Sequence, residues 1–136
     1  MSITYSISPQ QRLIKAYASG IIGVGDLEKL LDAILVDPAL RSGLRGLYDA
    51  RFAEPDITIL ELSEIASKVA RVVARGVERI AIVGESPNTI RVSRTFAVLA
   101  RAIGIDVEVF DTVDDAEAWL DTWTGDSGAG AESLRC

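Results

Sequence analysis

Two stretches of this sequence hold residue types at spacings that chemistry uses. Gly20-Ile21-Ile22-Gly23-Val24-Gly25 joins an apolar run to a helical pattern, the place where a dinucleotide loop belongs. The G-x-G-x-x-G spacing then asks for glycine at position 28, and Glu28 stands there. Asp26 and Glu28 would set two carboxylates beside a pyrophosphate, against the charge that a helix N-terminus favours on its ligand. Asp49, closing the next apolar segment, suits a ribose-binding acid, but one acid does not supply the missing loop. The stretch reads as a glycine turn ahead of an acidic helix start. Gly84-Glu85-Ser86-Pro87-Asn88 has the outline of a nucleophile elbow without its second glycine. Ser86 there reads as a helix N-cap followed by proline at the first helical position. Such an N-terminus can also hold an anion, and Arg91 and Arg94 follow one turn on, so a phosphate or carboxylate contact is the functional reading.

Composition closes much of the remaining chemistry. The chain has no His, so Ser-His-Asp and Cys-His nucleophile systems, His-ligated zinc and imidazole acid–base catalysis each lose a member. Its single Cys, Cys136, forms no disulfide framework and matches no prenylation box. We expect no metal, no cofactor and no enzyme. A net charge of −6 argues against a nucleic-acid binder. No apolar run reaches about 18 residues, so no membrane span is expected. The N-terminus lacks the layout of a signal peptide, and a cytoplasmic protein is expected.

The elements that must position these residues follow from periodicity. Ile3, Tyr5 and Ile7 alternate with Thr4, Ser6 and Ser8, as in a half-buried strand. Pro9-Gln10-Gln11 turns the chain into a second strand over residues 12–18, making an antiparallel hairpin. Asp26 opens a helix that ends at Asp37-Pro38, and Leu47-Tyr48-Asp49 is a short strand followed by a loop over residues 51–56. A long helix over residues 60–75 stops at Gly76. Residues 79–83 form a buried strand, and the Ser86-capped helix runs to about Ile103. Val107–Phe110 is the last strand and residues 113–123 the last helix. The order β-β-α-β-α-β-α-β-α predicts an α/β domain over residues 1–123. Its five-stranded sheet is mostly parallel with the first strand antiparallel, and about four helices cover it. Residues 124–136 are Gly/Ala/Ser-rich without a period, as in a disordered tail.

Charge is split along the chain. Lys68, Arg71, Arg75, Arg79, Arg91, Arg94 and Arg101 dominate residues 68–101, whereas residues 102–134 carry acids and no Lys or Arg. This asymmetry leads us to expect self-association as a two-fold homodimer, with charge setting orientation.

The hairpin Ile3–Ile7 with Leu13–Ala18, Gly20 before Asp26-Leu27, Leu47-Tyr48-Asp49, Ile80-Ala81-Ile82-Val83 and Ala116-Glu117-Ala118-Trp119-Leu120 together resemble the SpoIIAA-like branch of the STAS fold, also described as STAS/CRAL-TRIO-like. The resemblance implies a non-enzymatic regulatory or protein-interaction module like the anti-sigma-factor antagonists. In those proteins a Ser or Thr in an Asp-Ser-Ser-Gly-Leu stretch opens the second helix and is phosphorylated by a partner kinase. Asp56-Ile57-Thr58-Ile59-Leu60 is the corresponding stretch, with Ile57 for the first Ser and Ile59 for the Gly, which makes Thr58 the implied phosphosite. A CRAL-TRIO-like relation implies instead a cleft for a small apolar or amphiphilic ligand, near Ile59, Leu60 and Leu62. Either surface is expected on the rim at the carboxyl ends of the parallel strands. That rim gathers Asp49, Arg51 and Phe52, then Thr58, then Ser86 and Asn88 with Arg91 and Arg94.

Overall fold

The computed structural model describes residues 2–122; the expected tail and Cys136 lie outside them. The chain forms β1 (Ser2–Ser8), β2 (Leu13–Gly23), α1 (Val24–Leu35), β3 (Leu44–Asp56), α2 (Ile59–Ala74), β4 (Val77–Val83), α3 (Pro87–Ala102), β5 (Val107–Phe110) and α4 (Val113–Asp121). The five strands lie in the order β1-β2-β3-β4-β5, with β1 antiparallel to β2 and every later neighbour parallel. The α/β class, element order and single antiparallel strand are as expected.

Two elements are longer than the sequence pattern indicated. The glycine stretch is not a turn: Gly20–Gly23 continues β2 and pairs with Ala53–Asp56. Ile22 is buried and Ile21 exposed, the alternation of a strand, and Gly20 accommodates a φ of 81° that a side chain would resist. The helix consequently starts at Val24, where the Asp26 carboxylate accepts the Gly23 N–H at 2.9 Å. The expected loop after Asp49 is also strand, because β3 runs on through Pro55 to Asp56 against the extended β2. Between the pairs Tyr17–Asp49 and Ser19–Phe52, β3 holds one residue more than β2. This bulge reverses which side the following residues face.

α1, α2 and α3 cover one face of the sheet, and their apolar stripes (Leu31 and Ile34; Leu62, Ile65, Val69 and Val72; Phe96, Ala97 and Ala100) build the larger core. α4 alone packs on the other face, where Ala116 and Leu120 meet Leu47, Ala81 and Val83. Gly76 ends α2 where chain segments nearly touch: a Cβ there would stand 2.3 Å from the Ser42 Cα.

Parts of the expected charge asymmetry are satisfied within the chain. Arg79 pairs with Asp106 and lies 3.8 Å over the Trp119 ring, and Arg101 pairs with Glu108. The basic middle and the acidic end therefore meet each other across one sheet edge.

Candidate functional site

Between the three-helix layer and the sheet lies a cavity of about 160 Å³. Its floor is made of small residues on β2 and β3, namely Ala16, Gly46, Ala50 and Ala53. Longer side chains flank that floor, among them Ile14, Ile22 and Ile82, while Leu62, Val69 and Phe96 reach down from α2 and α3. Leu27 of α1 packs on the cluster of Ile22, Ala50 and Ala53, and a Gly46 Cβ would stand 3.4 Å from the Ile80 side chain, so the cavity is the space left between these contacts. Protein interiors hold few voids larger than a water molecule, and an apolar void of about 150 Å³ is enough to bind benzene.

Three hydroxyl-bearing residues, Tyr48, Thr89 and Ser93, stand in this lining. Thr89 donates to the Ala53 carbonyl oxygen at 2.9 Å and is buried, as is Ser93 one turn along α3. Burial pushes the Tyr48 hydroxyl well above its usual pKa, and the charge of Asp26 adds to the shift, so it stays protonated as a donor. Hydroxyls four residues apart on an otherwise apolar helical stripe were the signal in the sequence for this wall. Leu62, expected near a cleft, lines the cavity; Ile59 and Leu60, by contrast, are 68% and 72% exposed.

The candidate rim residues fall into separate groups. Asp49, Arg51 and Phe52 stand on β3 beside Tyr17, on the face that carries α4. Arg51 grips Asp49 with two hydrogen bonds, Nε to Oδ1 at 3.0 Å and Nη2 to Oδ2 at 2.9 Å. Its guanidinium lies 5.3 Å from the Phe52 ring centre, and that ring meets Tyr17 at 6.1 Å. Burial pushes the Asp49 carboxyl up, but the Arg51 hydrogen bonds, its backbone N–H and the charges of Arg51 and Lys15 outweigh that and hold it below the usual carboxylate range. The same contact raises the Arg51 pKa.

Ser86, Asn88 and Arg91 form the second group, at the start of α3. The Ser86 hydroxyl accepts the Thr89 N–H at 3.1 Å, the expected cap. Asn88 donates to the Glu54 carboxylate and accepts from Arg91. β3 extends past the end of β4, because Asp49 pairs with Val83, and the first turn of α3 covers that exposed edge. Arg91 and Arg94 line a shallow groove along α3 with Glu85 and Val98. Thr58 stands apart, capping α2 in a reciprocal box: its hydroxyl accepts the Glu61 N–H at 3.2 Å while Glu61 accepts the Thr58 N–H at 2.9 Å. No group of three or more Cys, Asp or Glu side chains among the described residues is placed to hold a metal. No helix among them is long and apolar enough to cross a membrane.

The profile of the SpoIIAA-like family matches residues 13–121. The chain belongs to the SpoIIAA-like family. Among solved structures, an uncharacterised protein with a SpoIIAA-like fold from Shewanella loihica is 18% identical, with a TM-score of 0.58 over 88% of this chain and 94% of that one. The anti-sigma factor antagonist SpoIIAA in its unphosphorylated form is 11% identical, with a TM-score of 0.53 over 89% of this chain and 97% of that one. These likenesses show the SpoIIAA-like fold. Among curated proteins, none matches the sequence significantly.

Proposed function

We propose that this SpoIIAA-like chain is a non-enzymatic binding module that takes a small apolar or amphiphilic molecule into the cavity between its sheet and α1–α3. The observation that carries this reading is the floor of Ala16, Gly46, Ala50 and Ala53 beneath three apolar helices. Small residues there leave room between sheet and helices, and burying an apolar guest is worth about 25 cal/mol per Å² of surface removed from water. Tyr48 and Ser93 in the lining each carry a hydroxyl that a polar end of the guest could meet, which favours an amphiphile over a pure hydrocarbon.

Native mass spectrometry of the purified full chain tests this, together with thermal shift against medium-chain alcohols, fatty acids and small aromatics. We expect a released adduct or a rise in Tm with at least one class, lost in Ala50→Leu, which fills the floor. Unchanged mass and Tm across the whole panel would remove the reading.

A second reading, a protein-interaction module acting in the cytoplasm, draws on the Tyr17–Phe52–Arg51 cluster, where Phe52 is 56% and Tyr17 40% exposed. Aromatic and Arg side chains of this kind anchor protein interfaces. Phosphorylation of Thr58 belongs to this reading. The added phosphate would gain from the α2 N-terminus but meet the Glu61 carboxylate that now closes the capping box.

A further inference from the structure

The sheet has two edges, and they differ in how they resist strand addition. β5 is four residues long, and its Glu108 is paired with Arg101; a short, charged edge discourages pairing. β1 is seven residues, Ser-Ile-Thr-Tyr-Ser-Ile-Ser, with no charge and no proline, and its ladder with β2 is unbroken from Ser2 to Ser8. Among the described residues no strand pairs with its outer side. An edge of this kind presents a row of backbone donors and acceptors with none of the usual guards.

What fits that edge is written in the strand itself. An antiparallel copy centred on Tyr5 sets Ser2 opposite Ser8, Ile3 opposite Ile7, Thr4 opposite Ser6, and Tyr5 opposite Tyr5. Every pair matches in kind: hydroxyls meet hydroxyls on one face, while Ile and Tyr meet their like on the other. Cross-strand hydroxyl pairs and aromatic pairs favour such a ladder. A shift by one residue would set Ile against Ser or Thr throughout, so the parity of the register is specified. The apolar members, Ile3, Tyr5 and Ile7, are only half-buried against the helix layer, and the Tyr5 hydroxyl is tied to Asp37 at 2.8 Å. A second copy would cover the surface they still expose.

We propose that β1 pairs antiparallel with β1 of a second copy of this chain, about a two-fold axis at Tyr5, joining two sheets into one. The axis runs perpendicular to the sheet, so the three-helix layers of both copies share one face. The proposal is independent of ligand binding. A ladder of this length buries less than the about 800 Å² per partner of a standard interface, so the dimer is weak and concentration-dependent.

Sedimentation velocity on the full chain from about 5 to about 500 micromolar is the test. We expect dimer to grow with concentration, and Thr4→Lys combined with Ser6→Lys to shift the chain to monomer with its Tm held within a few degrees. Thr4→Glu combined with Ser6→Glu should do the same, and mixing the two variants should restore association. A register check that keeps the strand uncharged uses Thr4→Cys and Ser6→Cys, each with Cys136→Ser. Oxidation should cross-link the mixture faster than either variant alone. A wild-type monomer at the highest concentration, a double-lysine variant that sediments as wild type, or cross-linking no faster in the mixture would each overturn the proposal.

Discussion

The two faces of the sheet draw alternate residues from the same strands, yet they pack differently. Ile82 and Val83 are adjacent in β4: Ile82 lines the cavity, whereas Val83 is fully buried beneath α4. On the α4 side, Ala81 of the sheet and Ala116 of the helix are both 0% exposed and belong to one buried cluster. On the other side the floor of the cavity is small, at Ala16, Gly46, Ala50 and Ala53, whereas the helices over it carry Leu62, Ile65, Val69 and Phe96 beside Thr89 and Ser93. Small against small brings a helix down onto the strands. Small beneath large leaves a void, because the larger neighbours set the height of the layer.

The contrast breaks most visibly with a charge. Val83→Asp would place an unpaired carboxylate in the tight core, at a cost of several kcal/mol by order of magnitude, and should abolish soluble expression. A soluble variant with cooperative unfolding would show that the α4 face is not sealed. Adding volume sharpens the comparison. Ala81→Leu overpacks the α4 side and should cost about 1–3 kcal/mol, whereas Ala50→Leu fills the cavity and should be neutral or stabilising by up to about 2 kcal/mol. Denaturant midpoints measured side by side decide this, and equal losses would mean that the cavity floor is as tightly packed as the α4 face.

That asymmetry was only partly legible in the sequence. Period-two and helical spacing were enough for the element order and for the single antiparallel strand. They did not reveal that Gly20–Gly23 and Arg51–Asp56 are strand, because glycine and proline are local signals of a turn and the pairing that overrides them is long-range. The bulge near Arg51 has the same origin. It brings Asp49, Arg51 and Phe52 to one face, which strict alternation from Leu47 would not do. The Ser86 cap was readable because it depends on residues three apart. The cavity was not, since Ala16, Gly46, Ala50 and Ala53 gather only when β2 and β3 are in register.

A smaller effect concerns acid. The folded Asp49 carboxyl titrates below its ordinary value, so the stability it contributes is present in full above the unfolded value of about 3.9. It is lost as pH falls through the lower, folded value. Asp37 titrates in the same direction, through the Ala39 backbone N–H first and then the Tyr5 hydroxyl. Asp49→Asn should therefore lower stability at neutral pH and flatten part of the acid limb without removing it. An acid limb identical in slope to wild type would show that Arg51 does not hold Asp49 in solution.

The smallest expected effect lies where the α4 face is left uncovered. Phe52 is 56% exposed and touches Tyr17 and Arg51 without entering either core. Substitutions on exposed surface usually change stability by no more than about 0.5 kcal/mol, and an aromatic pair adds about 0.5–1.5. Both rings are exposed, which puts this pair at the low end of that range, so Phe52→Ala should cost about 1 kcal/mol or less, under the loss from Ala81→Leu on the covered part of the same face. The Asp49–Arg51 pair should survive it, because its hydrogen bonds all lie within β3 and none involves the Phe52 ring. Urea unfolding of the single variant, with the acid limb as a second readout, separates the two contributions. A loss above about 2 kcal/mol would mean that the open aromatic cluster acts as core, and the difference between covered and uncovered sheet would then be one of degree.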